Sequence, residues 1–411
     1  MMLRRIIILL FLAVFILAAR AQRIASFEVP VTKHMRGWHV PVSINLDDVT
    51  NLSADDIALM ELRGQKATEV TCQVLPGKPR RLYWIMTPSD NSAATRKYEL
   101  VKKRPAKKVA VETPQKDGAL TIRSGNRDLL RYQFEMVYPP AGVDSAFKRN
   151  AFIHPLWSPH GQVLTRIQPP DHYHHYGIWN PWTHVLYKND TVDFWNIGGK
   201  KGTVRFAGFT TVNSGPVFGQ FEARHDHVVF KKDGEEEVAI KELQSVTVYH
   251  PTSDYYIADI DIQLSCATDS PVKLLEYRYG GLGWRTTEKW DRYNSEVITS
   301  AGKTRKDADG SKATWCIVQG EIDNDYAGVV MMSHPANYNH PEPLRIWPEN
   351  QYNRGDMFAN FSPTKDKDWL LEPGKTYTLK YRLLVFNGKF TKENAESAWQ
   401  QFANIAPVVK R

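Results

Sequence analysis

Residues 254–267 read DYYIADIDIQLSCA, and from Ile260 onward apolar and polar residues alternate strictly. Ile260, Ile262 and Leu264 fall on one side of an extended chain, and Asp261, Gln263 and Ser265 on the other. A period of two marks a β-strand with one buried face. Runs of the same kind recur on both sides, as ALTIRSG, LLRYQFEMVYP, TVRFAGFTTV, GQFEARHDHVVFK, VAIKELQSVTVYH, VKLLEYRYGGLG, TWCIVQGEI, YAGVVMMSH and KTYTLKYRLLVFNG. Glycines or acidic turns separate them. So many antiparallel strands in one stretch predict an all-β unit over residues 118–411, built from two large packed sheets. Only TKENAESAWQQFANIA, residues 391–406, reads as helix, with Ala395, Ala398, Phe402 and Ile405 or Ala406 on one approximate stripe and Thr391 or Asn394 as cap.

Before this unit, residues 22–100 carry shorter runs, FEVPV, HVPVSINL, IALMELRG, EVTCQVL, RLYWIM and KYELV, broken by turns such as Pro76-Gly77. They predict a small β domain of sandwich type, with at most a helical turn near Ala54–Leu59. Residues 101–117, rich in Lys and Pro, read as the linker. Residues 1–21 have the form of a signal peptide: Arg4 and Arg5, then about 13 apolar residues, then Ala19-Arg20-Ala21. That run is shorter than the ~20 residues a membrane span needs, and no later segment approaches that length. The expected location is therefore periplasmic or secreted, with no stable span in the mature chain.

The formal charge of +8 falls to +5 without the leader. The excess is dispersed, and the densest basic run lies in the linker away from aromatics, which argues against a nucleic-acid partner. No phosphate-loop or dinucleotide fingerprint occurs, which argues against a nucleotide. The three cysteines, Cys72, Cys266 and Cys316, show no CxxC spacing; Cys266 and Cys316 can pair in an exported chain, but nothing requires it.

The chemistry concentrates in residues 151–208. Six of the 13 histidines lie between His154 and His184, among Trp157, Trp179, Trp182 and Trp195. Asp171-His172-Tyr173-His174-His175 comes directly after Pro169-Pro170, so it is a loop or a strand entrance. If extended, it turns His172 and His174 one way and His175 the other. His172 and His174 are then a candidate pair of ligands for a divalent metal, although no cofactor is demanded. His154, His174 and His175 are equally candidate acids or bases, since an imidazole titrates near neutral pH. Asp193 and Glu276 are the candidate complementary carboxylates. Arg166, Asp171, Arg278 and His334 are candidate substrate contacts, with Arg345 and Trp347 on the same cleft. The four tryptophans offer flat apolar faces of the kind that stack on sugar rings. Glu276 and Arg278 share a face if their run is a strand leading into Gly280-Gly281-Leu282-Gly283.

Phe152-Ile153-His154-Pro155-Leu156, Leu164-Thr165-Arg166, Asp171-His172, His174-His175, Gly177-Ile178-Trp179 and Val192-Asp193-Phe194-Trp195, with the later Gly280–Gly283 and Ser333-His334-Pro335, resemble the motifs of the bacterial PmoA-like family. The resemblance spans about residues 120 to 390. It implies an exported protein associated with glycan use and a galactose-mutarotase-like supersandwich. That fold hosts hydrolases, lyases, epimerases and noncatalytic domains, so it does not choose a reaction. The leading expectation is an enzyme acting on a sugar or oligosaccharide by His/carboxylate acid-base chemistry. A noncatalytic carbohydrate-binding protein and a metal-dependent oxidoreductase, which the family's methane-oxygenase label suggests, are the alternatives.

Overall fold

The computed structural model describes residues 22–106, 109–405 and 407–411. The expected signal peptide, residues 1–21, and two lysines of the expected linker, at 107 and 108, lie outside them. The protein is all-β, with the single α-helix of the described residues at Lys392–Ala403.

Two large sheets, one of nine strands and one of eight, and a small four-stranded one form the large unit. The eight-stranded sheet is regular, and its long strands Phe218–Phe230, Glu236–Tyr249, Tyr255–Cys266 and Thr376–Asn387 pair antiparallel with their neighbours. In Tyr255–Cys266 the alternation is realised: Ile260, Ile262 and Leu264 are buried and Gln263 is exposed. The nine-stranded sheet is made of shorter pieces, with Glu342–Ile346, Phe358–Phe361, Gly283–Arg285, Ile178–Trp179 and Phe152–Leu156 as central neighbours. Side chains from both sheets, among them Ile122, Ile153 and Trp284 from one and Phe221, Ile260 and Val385 from the other, share one core. Burial of this continuous apolar layer is the main force holding the sheets face to face.

The strand expected over VKLLEYRYGGLG is interrupted. Val272–Leu274 belongs to a small four-stranded sheet and Gly283–Arg285 to the nine-stranded one, so residues 275–282 cross between them as a loop. Glu276 and Arg278 therefore do not share a strand face.

The N-terminal residues form a five-stranded and a three-stranded sheet around their own core of Phe27, Val29, Val42, Leu59, Leu82, Trp84 and Leu100. EVTCQVL is split, with Lys66–Val70 in one sheet and Cys72–Leu75 in the other. The turn near Ala54 is a single 3-10 turn, Ala54–Asp56, capped by Ser53. Val409–Lys410, at the far end of the chain, pairs with Gln22–Pro30. Gln73 reaches across to the large unit, its Oε1 accepting from the amides of Val217 and Phe218 at 3.0 and 3.1 Å. Within the expected linker, Val111 is fully buried and its amide donates to Gly215 O.

The helix begins at Thr391, whose hydroxyl accepts from the Asn394 amide, as a cap should. Its Ala395, Ala398 and Phe402 pack on Trp315, Ile317 and Val330 of the eight-stranded sheet. Cys72, Cys266 and Cys316 are all unpaired.

One carboxyl is buried in the fold without a cation. Glu342 accepts from Ser333 Oγ, Asn337 Nδ2 and Tyr381 Oη at 2.9, 2.7 and 2.9 Å. Burial nonetheless pushes it from 4.5 up to about 7. A raised carboxyl favours the folded state fully below its unfolded value and loses that contribution as pH climbs through its folded value. Unfolding midpoints of the parent should therefore drop between pH 4.5 and about 7 relative to Glu342→Gln. Urea denaturation across that window should show the two curves diverging, and parallel curves would contradict this account.

Candidate functional site

Pro169 and Pro170 stop regular pairing, and residues 169–175 form a pair of tight turns. The His172 amide donates to Pro169 O at 2.8 Å and the His175 amide to His172 O at 3.0 Å. Turns replace the expected extended chain, and with it the expected alternation of faces. His172, His174 and His175 instead converge, their ring centroids 4.5 to 5.0 Å apart. Each offers a ring nitrogen within 4.8 Å of those of the other two. Gly177 lets the chain re-enter the sheet just after them: at φ +57° its Cα lies so near Ile153 O that a Cβ would sit 2.2 Å from that oxygen, a position only glycine fits.

These imidazoles open onto a cavity of about 330 Å³ lined also by Trp195, Asn196, Arg278, Tyr279, Arg345, Trp347, Gln351, Tyr352 and Phe358. Its walls come from four places in the sequence: the histidine turn, Trp195-Asn196, the 275–282 crossover, and the stretch from the Glu342–Ile346 strand to Phe358. His175 is 3% exposed and stacked on Phe358. Its Nδ1 has no hydrogen-bond partner among the described residues. Burial holds His174 down to about 3, helped by the charge of His172, and drives His175 well below its usual value. At neutral pH both are neutral imidazoles with lone pairs to offer.

Behind them stands an ion-pair chain. His172 Nδ1 bonds Asp171 Oδ2 at 2.9 Å, and Tyr352 Oη lies 3.3 Å from its Nε2. Arg285, 1% exposed, pairs with Asp171 at 2.9 Å and Asp356 at 3.7 Å, and its guanidinium lies over the Trp347 ring at 4.6 Å. Although burial raises Asp171, the His172 hydrogen bond and the Arg285 charge hold it at about 2. Asp356 in turn pairs with Arg166 at 3.8 Å, and Arg166 with Glu288 at 3.6 Å.

Several expected site residues lie elsewhere, each for a visible reason. His154 faces a separate cleft with Arg166, Gln168 and Glu288, and its Nδ1 bonds Thr165 Oγ1 at 2.9 Å. Asp193 does not reach the cavity: its carboxylate accepts from the Trp195 and Asn196 amides, Asn196 Nδ2 and Thr183 Oγ1. It fixes Asn196, which in turn bonds Tyr279 Oη at 3.1 Å. Glu276 is exposed on the crossover, outside the cavity lining. Trp182 is buried against Trp369, and Trp179 packs between His175 and Trp195 at 1% exposure. Trp157 is away from the cavity, its carbonyl accepting from Tyr256 Oη. His334 packs on Phe402 of the helix. The cavity does gather His172, His174, His175, Trp195, Arg278, Arg345 and Trp347. Arg285, Asp356 and Tyr352 escape a reading by sequence alone, and the one signal for Arg285 is a cation directly after the apolar Gly-Leu-Gly-Trp run.

A family model, described as a family of unknown function (DUF6807), matches residues 119–400. No curated protein matches the sequence. Among solved structures, a heparan sulfate lyase HepC mutant from Pedobacter heparinus matches with TM-score 0.34 and 10% identity over 71% of this chain. A heparinase III gene product matches with TM-score 0.33 and 9% identity over 70%. The chain spans 38% of the length of each.

Removing Arg285 leaves Asp171 and Asp356 without their shared cation. Arg285→Met should destabilise the protein by about 3–5 kcal/mol, as loss of one partner of a buried ion pair does. Chemical denaturation checks this, and a loss under about 1 kcal/mol, the size of an exposed pair, would show that the chain carries no such strain.

Proposed function

The chain belongs to the DUF6807 family, a family of unknown function, and we propose from the cavity itself that it is a carbohydrate-active enzyme whose substrate carries negative charge. The observation that carries this is Arg278. It lines the cavity, lies over the rings of Tyr277 and Tyr279 at 5.5 Å, and has no carboxylate partner among the described residues. An unpaired guanidinium beside aromatic faces suits the carboxylate or sulfate of an acidic sugar. Trp195, Tyr279, Trp347 and Tyr352 supply apolar faces for the ring, and Asn196 and Gln351 supply amides for its hydroxyls.

Among the described residues, no aspartate or glutamate lines this cavity. The carboxylates nearest the histidines, Asp171 and Asp356, are turned to Arg285. The two-carboxylate arrangement of glycosidases therefore has no place here. Besides the turn histidines, the groups of this lining able to move protons are phenols, so we assign proton transfer at the sugar to Tyr279 and Tyr352. We place the activity outside the cytoplasm, on the support of the signal-like residues 1–21.

Binding of matched acidic and neutral oligosaccharides by calorimetry tests the reading. Acidic chains should bind preferentially, and Arg278→Ala should weaken them about 10- to 100-fold, the worth of a charged hydrogen bond, while leaving neutral chains unchanged. Equal affinity for both classes would sink it. Turnover, followed by reducing-end release and by the ultraviolet absorbance of new C=C bonds, should fall at least about 100-fold in Tyr279→Phe. Affinity without any turnover in the parent would instead establish a binding protein.

A further inference from the structure

We propose that His172, His174 and His175 bind one divalent transition-metal ion of the zinc class. Three independent features converge on it. The ring nitrogens of all three lie within 4.8 Å of one another and face a cavity. Asp171 bonds Nδ1 of His172, which fixes that ring's tautomer and leaves Nε2, 3.3 Å from Tyr352 Oη, as the nitrogen a metal would take. A carboxylate behind a ligating imidazole is the usual outer support of such sites, and here Arg285 locks the carboxylate in turn. Finally, His175 has a fully buried Nδ1 with no partner among the described residues, an arrangement that costs free energy until something bonds it.

The donor set selects the class of ion. Three imidazoles with neither thiolate nor carboxylate suit zinc, cobalt, nickel or copper, and suit magnesium or calcium poorly. A tetrahedral site with bonds near 2.0–2.1 Å needs ligand atoms about 3.3 Å apart, so the rings must swing inward on binding. His174 is half-buried on a turn, which gives it that freedom. Three protein ligands leave a fourth position toward the cavity, the open arrangement of catalytic rather than structural sites. The other close histidine pair differs: His225 and His227 both bond the carboxylate of Glu242 at 2.9 Å inside the core. The occupant of the fourth position, a sugar oxygen or water, rests on the reading of this cavity as a sugar site; the metal itself does not.

The test uses the tag-free chain, stripped with chelator and titrated with zinc and with cobalt alone. Calorimetry should give about one ion per chain, and cobalt should develop the visible spectrum of a four- or five-coordinate nitrogen site. His174→Ala should lose at least about 100-fold in affinity, and Asp171→Asn about 10- to 100-fold, while Arg278→Ala should bind metal as the parent does. Because the His174 ring makes no hydrogen bond among the described residues, its variant should unfold at the metal-free parent's midpoint; if it does not, His172→Gln replaces it in the same titration. Absence of saturable one-to-one binding, or parental affinity in the histidine variant, overturns the proposal. Zinc binding without acidic-sugar binding would remove the functional reading alone, and sugar binding without zinc binding would remove the metal alone.

Discussion

Arg285 is the constraint on which the site depends. A guanidinium at 1% exposure is tolerable only when its charge is matched, and Asp171 and Asp356 match it from opposite parts of the chain. Asp171 lies in the histidine turn and Asp356 in the turns that precede Phe358–Phe361, while Arg285 ends the short strand between Ile178–Trp179 and Phe358–Phe361. One buried cation thus pins two loops to the rim of a rigid sheet. Trp347 covers its face, and the histidines stand on the side facing the cavity.

The same chain of charges runs on through Asp356 to Arg166 and Glu288, so the cavity and the His154 cleft meet at one ion-pair relay. The division of labour differs between them. In the cavity, carboxylates serve only from behind, orienting His172 through Asp171 and Tyr279 through Asp193 and Asn196. The surface shown to a ligand is made of imidazoles, phenols, indoles, a phenyl ring, amides and guanidinium groups. The proposed binding of anions and a metal ion rests on that surface.

Much of the fold is legible in the sequence because strand period and burial obey one rule. Ile260, Ile262 and Leu264 alternate in the text and in space, and Thr391 announces the helix it caps. The histidine segment is legible as a site but not in its geometry. Alternation holds for strands, and Pro169-Pro170 leads into turns that gather three side chains an extended segment would split. Trp179 and Trp182 show a second limit, since an indole that fills a core and one that meets a sugar look alike in sequence. Asp193 shows a third: its backbone amide partners, Trp195 and Asn196, are close in sequence, yet only the local turn reveals that they saturate it. Arg285 and Asp356 lie 71 residues apart by their numbering, and no local pattern links them.

The central claim is that the three-histidine cavity, rather than the neighbouring cleft, meets the ligand. Imidazole nitrogen resonances of the full chain, followed by NMR during titration with an acidic oligosaccharide, test it most directly. The account predicts that His172, His174 and His175 shift together with saturation while His154, His225 and His227 stay in place. Movement of His154 alone, with the three turn histidines silent, would contradict it.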